Sequence, residues 1–600
     1  MGFYLSPLVD IKENDVSATP QAVSTSISVN VIRCPKDGPE FKKLLITSED
    51  DLLNTYGKPT NVRYNYEDML GAIGNLINSQ SVYCTGVRPS DATFAGIKSS
   101  SSTAPLSGSS TTFDISFETY GLSGSDALTL DDFVSKDPDD FAEDIFPEGP
   151  IDCIYYARGS RGNNIRIAFI DYETYNIIVR RNQQLDKYPW VQQLLSIDSP
   201  LNHPTEFLVL VEELLEDSDD AEKNWRLTEF YNVSTVVSAL DDAGNSKFVE
   251  NIFNVGSSAR IRVALNELNK NKPWTYLTPN WVRFGGGSDG TIENLTDDII
   301  IEAYDLYKDA EEIDVNVFVD GNKSETVKMH IRQLVENRKD CMAIFDPKYE
   351  LVVNNRGSEA EALVAWRKGL DPYLVNNLNI SSDRCALYGN WIEVYDRWNK
   401  KYRWIPISGY IAGIWAYNDW AAEPWYAPAG LNRAILSGSI RRLAWNPALS
   451  ERDLLYKNGI NPVASFAGIG KVVWGQKTLL DSTSSFNRIN VRRLFLILEK
   501  SIATYVKYYL FEQNDEHTRY QLVASVEPFL RDVKARRGIY DYMIVCDERN
   551  NTSARIDRGE LWCDIMIKPT RSAEFIVLRF TNTSAGANFS ELTGSLGIDD

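Results

Sequence analysis

Apolar and polar residues alternate near the start of the chain, and this alternation predicts a β-strand. From residue 23 to residue 31, every second position holds Val, Thr, Ile, Val and Val, with small or polar residues between them. A period of two places these side chains on one buried face of an extended segment. The next segment, LLITSEDDLLNTYGKP, predicts a second strand and a short helix that begins after Ser48 and ends at Gly57 and Pro59.

The pattern becomes mixed further along the chain. The segment YEDMLGAIGNLINSQSVYCTGVRP predicts a helix and then a strand. Between residues 151 and 284, strand-like runs such as IRIAFIDY and FLVLVEELLE alternate with Gly and Asn turns, which favours a β-rich region. A helix from Asp297, the strand DVNVFVD, a helix from Ser324 and the strand DCMAIFD follow in order. This alternation predicts a βαβ arrangement.

Two amphipathic helices dominate the last third of the sequence. Apolar residues recur at helical spacing between Val491 and Tyr509, and again between Thr518 and Val533. Gly538 is expected to end the second helical region. Strands are predicted near residues 539–547, 561–568 and 573–581, so this part predicts a helix pair on a small sheet, an α+β unit.

The predicted elements and the polar segments between them divide the chain into several regions. Both ends are polar and predict extended arms, while residues 99–150 carry eleven Asp or Glu against one Lys and begin with a Ser-rich connector. We therefore expect a multidomain α/β and α+β protein whose inner α+β core combines N- and C-terminal parts, with β-rich insertions and terminal arms. The expected divisions are an arm at 1–21, a middle α/β domain from 22–95 with 341–480, an outer acidic insertion at 96–150, a second insertion at 151–340, a C-terminal inner α+β domain at 481–581 and an arm at 582–600.

Composition narrows the classes of protein to consider. The chain has 600 residues, 43% of them hydrophobic and 24% charged, which is typical of folded domains. A net charge of -21 disfavours nucleic acid as a partner. Seven scattered cysteines without a CxxC spacing predict reduced thiols rather than disulfides or a zinc site. No apolar run is long enough to predict membrane insertion, and the start does not resemble a standard secretion signal.

Few residues suit catalysis. The three histidines, His203, His330 and His517, are far apart and lie in no metal-binding spacing, and no nucleophile elbow or Walker loop is present. The run RFGGGSDGT, with Gly285–Gly290, could hold a phosphate on backbone amides, although a turn between domains needs the same residues. The Trp-rich stretch Trp398–Arg433 fits either a stacking platform or a packed loop region. We expect no catalytic residue, cofactor or metal.

Several segments, taken in order, resemble the tail sheath proteins of contractile-tailed bacteriophages of the larger myovirus type. The matching segments are SPLVDIKE, AVSTSISV, LLITSEDDLLNTYGKP, GNNIRIAFID, FGGGSDG, IPISGYIAGIWAYND, PWYAPAGLNR, GINPVASFAGIGKVVWGQKTL, INVRRLFLILEKSI, FEQNDEHTR, PFLRDVKARRGIYDYMIVCDERNNT and CDIMIKPTRSAEFIVLRF. They cover both ends of the chain densely, while residues 95–340 match more loosely. A sheath of a bacteriocin-like or secretion-type injector, and a carbohydrate- or phosphate-binding enzyme, remain alternatives.

The resemblance implies a structural subunit of the virion, assembled in the host cytoplasm, rather than an enzyme. Such subunits stack as six-fold rings around a tail tube and meet baseplate and tail terminator proteins, without direct nucleic-acid contact or membrane insertion. Their terminal arms complete a sheet of a neighbouring subunit. The arm residues that the resemblance implies are Leu8, Val9, Asp10, Ile11, Lys12 and Glu13, together with Ala587, Asn588, Phe589, Ser590 and Glu591.

A basic cluster in the segment PFLRDVKARRGIYDYMIVCDERNN is the remaining candidate site. By the resemblance, Lys534, Arg536 and Arg537 lie in the inner layer, near the tube or the next subunit. Residues 481–580 hold 16 Lys or Arg against 14 Asp or Glu, so this region is about neutral in an acidic chain. That difference suits contact with an acidic partner. Salt bridges within the domain explain the same residues equally well.

Overall fold

The computed structural model describes residues 27–101, 113–120, 151–177, 201–214, 225–241, 243–255, 261–266, 270–271, 274–275, 281–370, 377–574, 576 and 578. By its internal contacts, the chain divides into two compact units, Met1–Glu512 and Gln513–Asp600. The strands are β1 (Ser28–Arg33), β2 (Leu44–Ile46), β3 (Val82–Val87), β4 (Ala95–Ser101), β5 (Phe113–Tyr120), β6 (Ile151–Ala157), β7 (Ile165–Asp171), β8 (Glu206–Leu214), β9 (Trp225–Ser234), β10 (Ile261–Leu265), β11 (Trp274–Thr275), β12 (Val282–Arg283), β13 (Val317–Val319), β14 (Met342–Phe345), β15 (Cys385–Tyr388), β16 (Trp391–Asp396), β17 (Lys401–Pro406), β18 (Ile440–Leu443), β19 (Ile460–Asn461), β20 (Val463–Phe466), β21 (Gly470–Val473), β22 (Ile539–Val545) and β23 (Asp564–Pro569).

The helices alternate with these strands along much of the chain. They are α1 (Glu49–Tyr56), α2 (Arg63–Leu76), α3 (Gly159–Gly162), α4 (Tyr172–Tyr175), α5 (Val249–Val255), α6 (Asp297–Asp305), α7 (Glu325–Arg338), α8 (Tyr349–Val352), α9 (Glu359–Lys368), α10 (Ser408–Ala421), α11 (Leu449–Lys457), α12 (Ile489–Val506), α13 (Glu516–Ala535) and α14 (Ser553–Ile556).

A seven-stranded sheet forms the centre of the first unit. Its order is β19-β15-β14-β13-β1-β3-β2, and all neighbouring strands are parallel except β2 and β3. Successive residues of β13 enter different hydrophobic cores, with Phe318 in one and Val317 and Val319 in the other. Because both faces of the sheet are covered, this region has the layered α/β architecture that the alternation of elements predicts.

The sequence predicted several element ends in this unit. Ser48 caps α1 by accepting a hydrogen bond from the Asp51 backbone N–H, and the helix ends at Gly57 with φ 78°. Ser324 caps α7 in the same way, through the Val327 N–H. Both predicted helix starts are confirmed, and parallel pairing of β13 with β14 confirms the βαβ unit around α7.

The boundary expected at residue 340 lies earlier in the chain. Strand β13 pairs with β1 on one side and with β14 on the other, so residues 317–319 belong to the central sheet and not to an insertion. Periodicity alone could not place this boundary, because β13 pairs with a strand almost 300 residues earlier. The sheet partner of a strand, not its position in the sequence, decides its domain.

The β-rich region between residues 95 and 284 forms two further sheets. One has the order β10-β6-β4-β5-β11 and the other β12-β7-β8-β9. Both contribute residues to one hydrophobic core, for example Tyr155 from the first sheet and Phe169 from the second. The Ser-rich segment expected as a connector supplies part of β4, because β5 and β6 pair with it on either side.

The predicted helix pair is divided between the two units. Helix α12 belongs to the first unit, where Ile489 and Leu496 join a central hydrophobic core. In the second unit, α13 packs against β22, and β22 pairs antiparallel with β23. The buried residues of α13 include Leu522, Val526 and Phe529. A single helix on a two-stranded hairpin is therefore the described core of the C-terminal unit.

Candidate functional site

The hairpin of β22 and β23 is the most exposed sheet in the described part of the chain. The register pairs Ile544 with Ile565 and Val545 with Asp564. Among the described residues, β22 and β23 pair only with each other. Each strand therefore has an outer edge whose main-chain N–H and C=O groups bond to no described strand. Two strands alone are marginally stable, and open edges are templates for a further strand.

Large apolar side chains of this hairpin are exposed. Tyr540, Met543 and Met566 are 61%, 54% and 52% exposed, and Trp562, just before β23, is 43% exposed. Such a cluster beside open strand edges is typical of a surface that another chain covers.

The three predicted basic residues lie together at the end of α13. Lys534 Nζ is 2.8 Å from an Asp541 carboxylate oxygen, and Arg536 Nε is 3.1 Å from that of Asp532. Both pairs are exposed to solvent, so they contribute little to stability. No described side chain is recorded as a partner of the Arg537 guanidinium. Lys534 and Arg536 thus each have an acidic partner within the domain. Contact of the three basic residues with a tube or a neighbouring subunit stays a prediction.

The backbone at this point differs in detail from the expected helix end. The N–H of Gly538 donates to Val533 O, and the N–H of Arg537 donates to Lys534 O. This is the Schellman arrangement, in which the residue after the cap adopts the left-handed conformation that favours glycine. Here that residue is Arg537, with φ 67°, and not the adjacent Gly538. An exposed arginine therefore occupies a position where its side chain costs backbone strain.

The predicted arms lie outside the described residues. This applies to Leu8–Glu13 and to Ala587–Glu591. The third strand expected at 573–581 is also not present at the described positions 573, 574, 576 and 578. Ile576 and Leu578 are 78% and 73% exposed. Alternating exposed apolar residues have the strand pattern, and no described strand pairs with them.

The glycine run has a structural role. The backbone N–H of Gly287 donates to Asn163 Oδ1 at 2.9 Å, and that of Ser288 donates to Thr93 O at 3.1 Å. A Cβ atom added at Gly287 would lie 2.2 Å from Gly159 O. Because these amides already bond to protein atoms, the turn interpretation is favoured over a phosphate site.

The Trp-rich stretch contributes to the core through helix α10. Ile411, Ile414 and Trp415 are buried, and the Trp415 indole donates to the Tyr388 hydroxyl at 3.1 Å. Trp420, at the end of the helix, is 76% exposed. Packing therefore explains most of this stretch, and a continuous stacking platform is not formed by α10.

His330 and His517 each bond to a polar side chain within the described residues. His330 Nε2 is 2.6 Å from an Asp305 carboxylate oxygen, and His517 bonds to Gln521 one turn along its helix. No cluster of His, Cys, Asp and Glu suited to a metal occurs in the described ranges. Within the same ranges, no helix combines the length and apolar character that a membrane crossing requires.

A buried group of charges, which the sequence pattern did not indicate, lies at the carboxyl ends of the central strands. Arg33, which ends β1, donates to both carboxylate oxygens of Asp68 at 2.7 and 2.9 Å. Lys323 Nζ donates to the same carboxylate at 2.8 Å, and burial lowers the pKa of Lys323 to about 8. These pairs join the ends of β1 and of the segment after β13 to helix α2.

Two carboxylates extend this group. Lys328 Nζ is 3.1 Å from Asp320 Oδ2, and the Asp346 N–H donates to the same oxygen at 3.1 Å. Asp346 Oδ1 accepts from the Ser408 N–H at 2.9 Å, while its Oδ2 has no described partner. Burial, and then the nearby Asp320, raise the pKa of Asp346 to about 7. The signal in the sequence was the Asp that follows each of β13 and β14.

Comparison with known proteins gives a consistent result. Residues 310–479 match the phage tail sheath protein central domain, and residues 481–583 match the phage tail sheath C-terminal domain. The tail sheath protein of Vibrio phage KVP40 is 39% identical over 61% of this chain and 55% of its own length. That of Enterobacteria phage T4 is 36% identical over the same shares of the two chains.

The fold agrees with these matches. The crystal structure of the sheath tail protein from Listeria innocua covers 92% of this chain and 97% of its own, with a TM-score of 0.51 at 10% identity. The chain spans about half the length of the curated relatives that it matches, 55% in both cases given above. Residues 310–583 thus match phage tail sheath domains, and the chain is similar to the tail sheath proteins of Vibrio phage KVP40 and Enterobacteria phage T4.

Proposed function

We propose that the chain is a structural subunit of a contractile phage tail sheath. Copies polymerise as stacked six-fold rings around a tail tube, and the sheath contracts to drive the tube through the host envelope. The subunit works without catalysis. The tube, the baseplate and the tail terminator are its partners in the virion, and assembly takes place in the host cytoplasm.

The observation that carries this proposal is the hairpin of β22 and β23, which lies within the matched C-terminal sheath domain. Its outer edges lack a described partner strand, and Tyr540, Met543 and Met566 on its strands are exposed. An added strand would satisfy the main-chain donors and acceptors at an edge and cover apolar surface. We assign that role to the arms of neighbouring copies, through residues 8–13 and 587–591.

Strand addition suits a lattice that has to change shape. Main-chain hydrogen bonds hold the register of the joint, while the polar chain between arm and domain allows each subunit to turn. Contraction then requires only that the contracted lattice has the lower free energy, because small differences at many repeated interfaces add up. No nucleotide-driven step is needed in this scheme.

The basic cluster supports the inner placement of this unit. Lys534, Arg536 and Arg537 are exposed at the end of α13, and residues 481–580 are about neutral in a chain of net charge -21. An inner layer of this kind can approach an acidic surface that the rest of the chain would repel. We propose that the three residues face the tube or the next subunit.

Deletion of residues 1–21 tests the role of the N-terminal arm. We expect the truncated chain to fold, because the described cores begin after these residues, but to stay monomeric. Negative-stain electron microscopy and light scattering compare it with the full chain, which should form tubes or rings. Thermal unfolding of both proteins controls for misfolding. Tubes of normal yield and length from the truncated chain would contradict the proposal.

A further inference from the structure

Two cysteines lie opposite each other at the turn end of the β22–β23 hairpin. The register pairs Ile544 with Ile565 and Val545 with Asp564, and one further step along the same register places Cys546 opposite Cys563. Directly opposed residues of antiparallel strands have Cβ atoms about 4.5–5.5 Å apart. Cross-strand neighbours at this spacing need only a small adjustment to reach disulfide geometry.

The interaction between the two thiols lowers the pKa of Cys546 and raises that of Cys563. Cys546 is buried and Cys563 is half-buried. A thiol with a lowered pKa beside a second thiol is the arrangement from which disulfides form most readily.

The loop between the two cysteines is held in place by two asparagine side chains. Asn551 Nδ2 donates to Trp562 O at 2.8 Å, and the Trp562 N–H donates to Asn551 Oδ1 at 2.7 Å. Asn550 Nδ2 donates to Val545 O at 2.6 Å and to Asp564 Oδ2 at 3.0 Å. These bonds hold Val545, directly before Cys546, and Trp562, directly before Cys563. The two cysteines are therefore kept opposite each other.

The other five cysteines have different surroundings. Cys84, Cys153, Cys341 and Cys385 are fully buried, and Cys34 is 9% exposed, the same fraction as Cys546. Burial raises the pKa of the Cys34 and Cys385 thiols to about 12, which leaves almost no thiolate at neutral pH. Reaction with an oxidant should therefore select the hairpin pair.

We propose that Cys546 and Cys563 form a site that small organic disulfides oxidise to an intramolecular disulfide. The Cys546 thiolate attacks one sulfur of the reagent, which breaks its S–S bond and releases one thiolate. Cys563 loses its proton to solvent and attacks the Cys546 sulfur, which releases the second thiolate. Two protein thiols lose two electrons and two protons, and the reagent is reduced to two thiols.

The crosslink would join the strands at one end of the hairpin. It lies on the same face as Ile544 and Ile565, which are half-buried, and away from exposed Met543 and Met566. The outer strand edges remain unchanged, so this inference is independent of the proposed function. Closing the loop restricts the open states of the hairpin.

The test uses the full-length chain and 2-hydroxyethyl disulfide. After incubation, free thiols are alkylated under denaturing conditions and the protein is digested with trypsin. We expect residues 538–549 and 559–571, as cleaved from this sequence, to be recovered as one disulfide-linked pair that reduction separates. The other cysteines should be alkylated. Amide exchange in β22 and β23 should slow at least about tenfold after oxidation.

Two variants make the result specific. Cys563→Ser removes the second thiol, so Cys546 should accumulate as a mixed disulfide with the reagent. The double variant Cys546→Ser with Cys563→Ser should show neither adduct nor slowed exchange. Alkylation of both hairpin cysteines in the treated wild-type chain, a mixed disulfide that persists there, or pairing of either with another cysteine would each overturn the proposal.

Discussion

Asp346 is a carboxyl group that the fold holds in an environment better suited to its neutral form. Burial and the neighbouring Asp320 raise its pKa to about 7, and one of its oxygens has no described partner. Between about pH 4 and pH 7 the folded chain keeps a proton that the unfolded chain has lost. Stability due to this group is therefore greatest at low pH and falls as pH rises to 7.

Replacement of Asp346 by Asn tests this assignment. The variant is neutral at every pH and keeps an oxygen for the Ser408 N–H, so it should match the wild type near pH 4. Above pH 7 it should be more stable, by on the order of 2–4 kcal/mol. Chemical denaturation at pH 5, 6, 7 and 8 measures the difference.

Asp320→Asn is the matched control for that change. Asp320 pairs with the buried Lys328, so its loss leaves an unpaired buried ammonium and should cost about 3–5 kcal/mol at neutral pH. If Asp346→Asn destabilises the chain at pH 8 as Asp320→Asn does, the two carboxylates have the same role and the assignment is wrong.

A variant of Arg537 can separate two effects: the free-energy cost of its left-handed backbone conformation and the role of its guanidinium in assembly. Its φ of 67° suits glycine, so Arg537→Gly should stabilise the end of α13 by about 0.5–1 kcal/mol. If the guanidinium faces the tube or a neighbour, the same variant should assemble less well. Hydrogen exchange of residues 533–538 and sedimentation of assembled tubes measure the two effects.

Lys339 provides the comparison for Arg537. It is an exposed residue with φ 65° at the end of α7, in the first unit. Lys339→Gly should also stabilise its helix end but leave assembly unchanged. Equal assembly by both variants would mean that Arg537 has no role at an interface.

At the residue scale, the sequence located the basic cluster but not its geometry. Lys534, Arg536 and Arg537 stand out as consecutive charges after a helix. Gly538 was the natural candidate for the helix end, and only the hydrogen bonds show that Arg537 takes the left-handed position. Asp346 could not be recognised, because its partner Ser408 is 62 residues away in the sequence.

At the scale of elements, helices α2 and α10 approach each other through glycines. A Cβ atom at Gly409 would lie 2.3 Å from Gly71 O, whereas a Cβ atom at Gly71 would meet nothing within 4 Å. The two helices can therefore pack this closely only because residue 409 has no side chain. This close approach places Trp415 and Ile414 in the core beneath the central sheet.

Alanine at these two positions should have opposite effects. Gly409→Ala should destabilise the chain by about 3 kcal/mol or more, because a backbone atom cannot move aside as a side chain can. Gly71→Ala should be neutral or stabilising by up to about 1 kcal/mol, since alanine favours helices. Thermal unfolding and the soluble yield of each variant measure this. Wild-type stability for Gly409→Ala would show that the helices do not pack this closely.

The sequence predicted elements best where local chemistry specifies their ends. Ser48 and Ser324 are capping residues directly before helical patterns, and both caps are present. Periodicity failed where partners are distant in the sequence. The Ser-rich segment of β4 has little strand character of its own and becomes a strand because β5 and β6 pair with it.

In the whole molecule, the distance in sequence between paired strands also limited how well the domain boundaries could be predicted. The central sheet combines strands from residues 28 to 461, so its members are interrupted by the β-rich sheets. Local patterns identify β13 and β14 as strands of one βαβ unit, but they do not show that β13 pairs with β1. The resemblance of ordered segments across the chain predicted the similarity to tail sheath proteins, which composition could not predict.

The proposed function depends on the open edges of the β22–β23 hairpin. In the isolated chain these edges have no described partner strand, and the proposed function requires one from another copy. The terminal arms are the segments of the chain whose polar composition and position suit them to this role.

A cryo-electron microscopy reconstruction of assembled tubes, at a resolution that allows side chains to be assigned, tests this claim most directly. We expect the hairpin to be extended by strands that trace to residues 8–13 or 587–591 of other subunits. A reconstruction in which the hairpin edges are covered only by residues of the same subunit, or remain uncovered, would contradict the account.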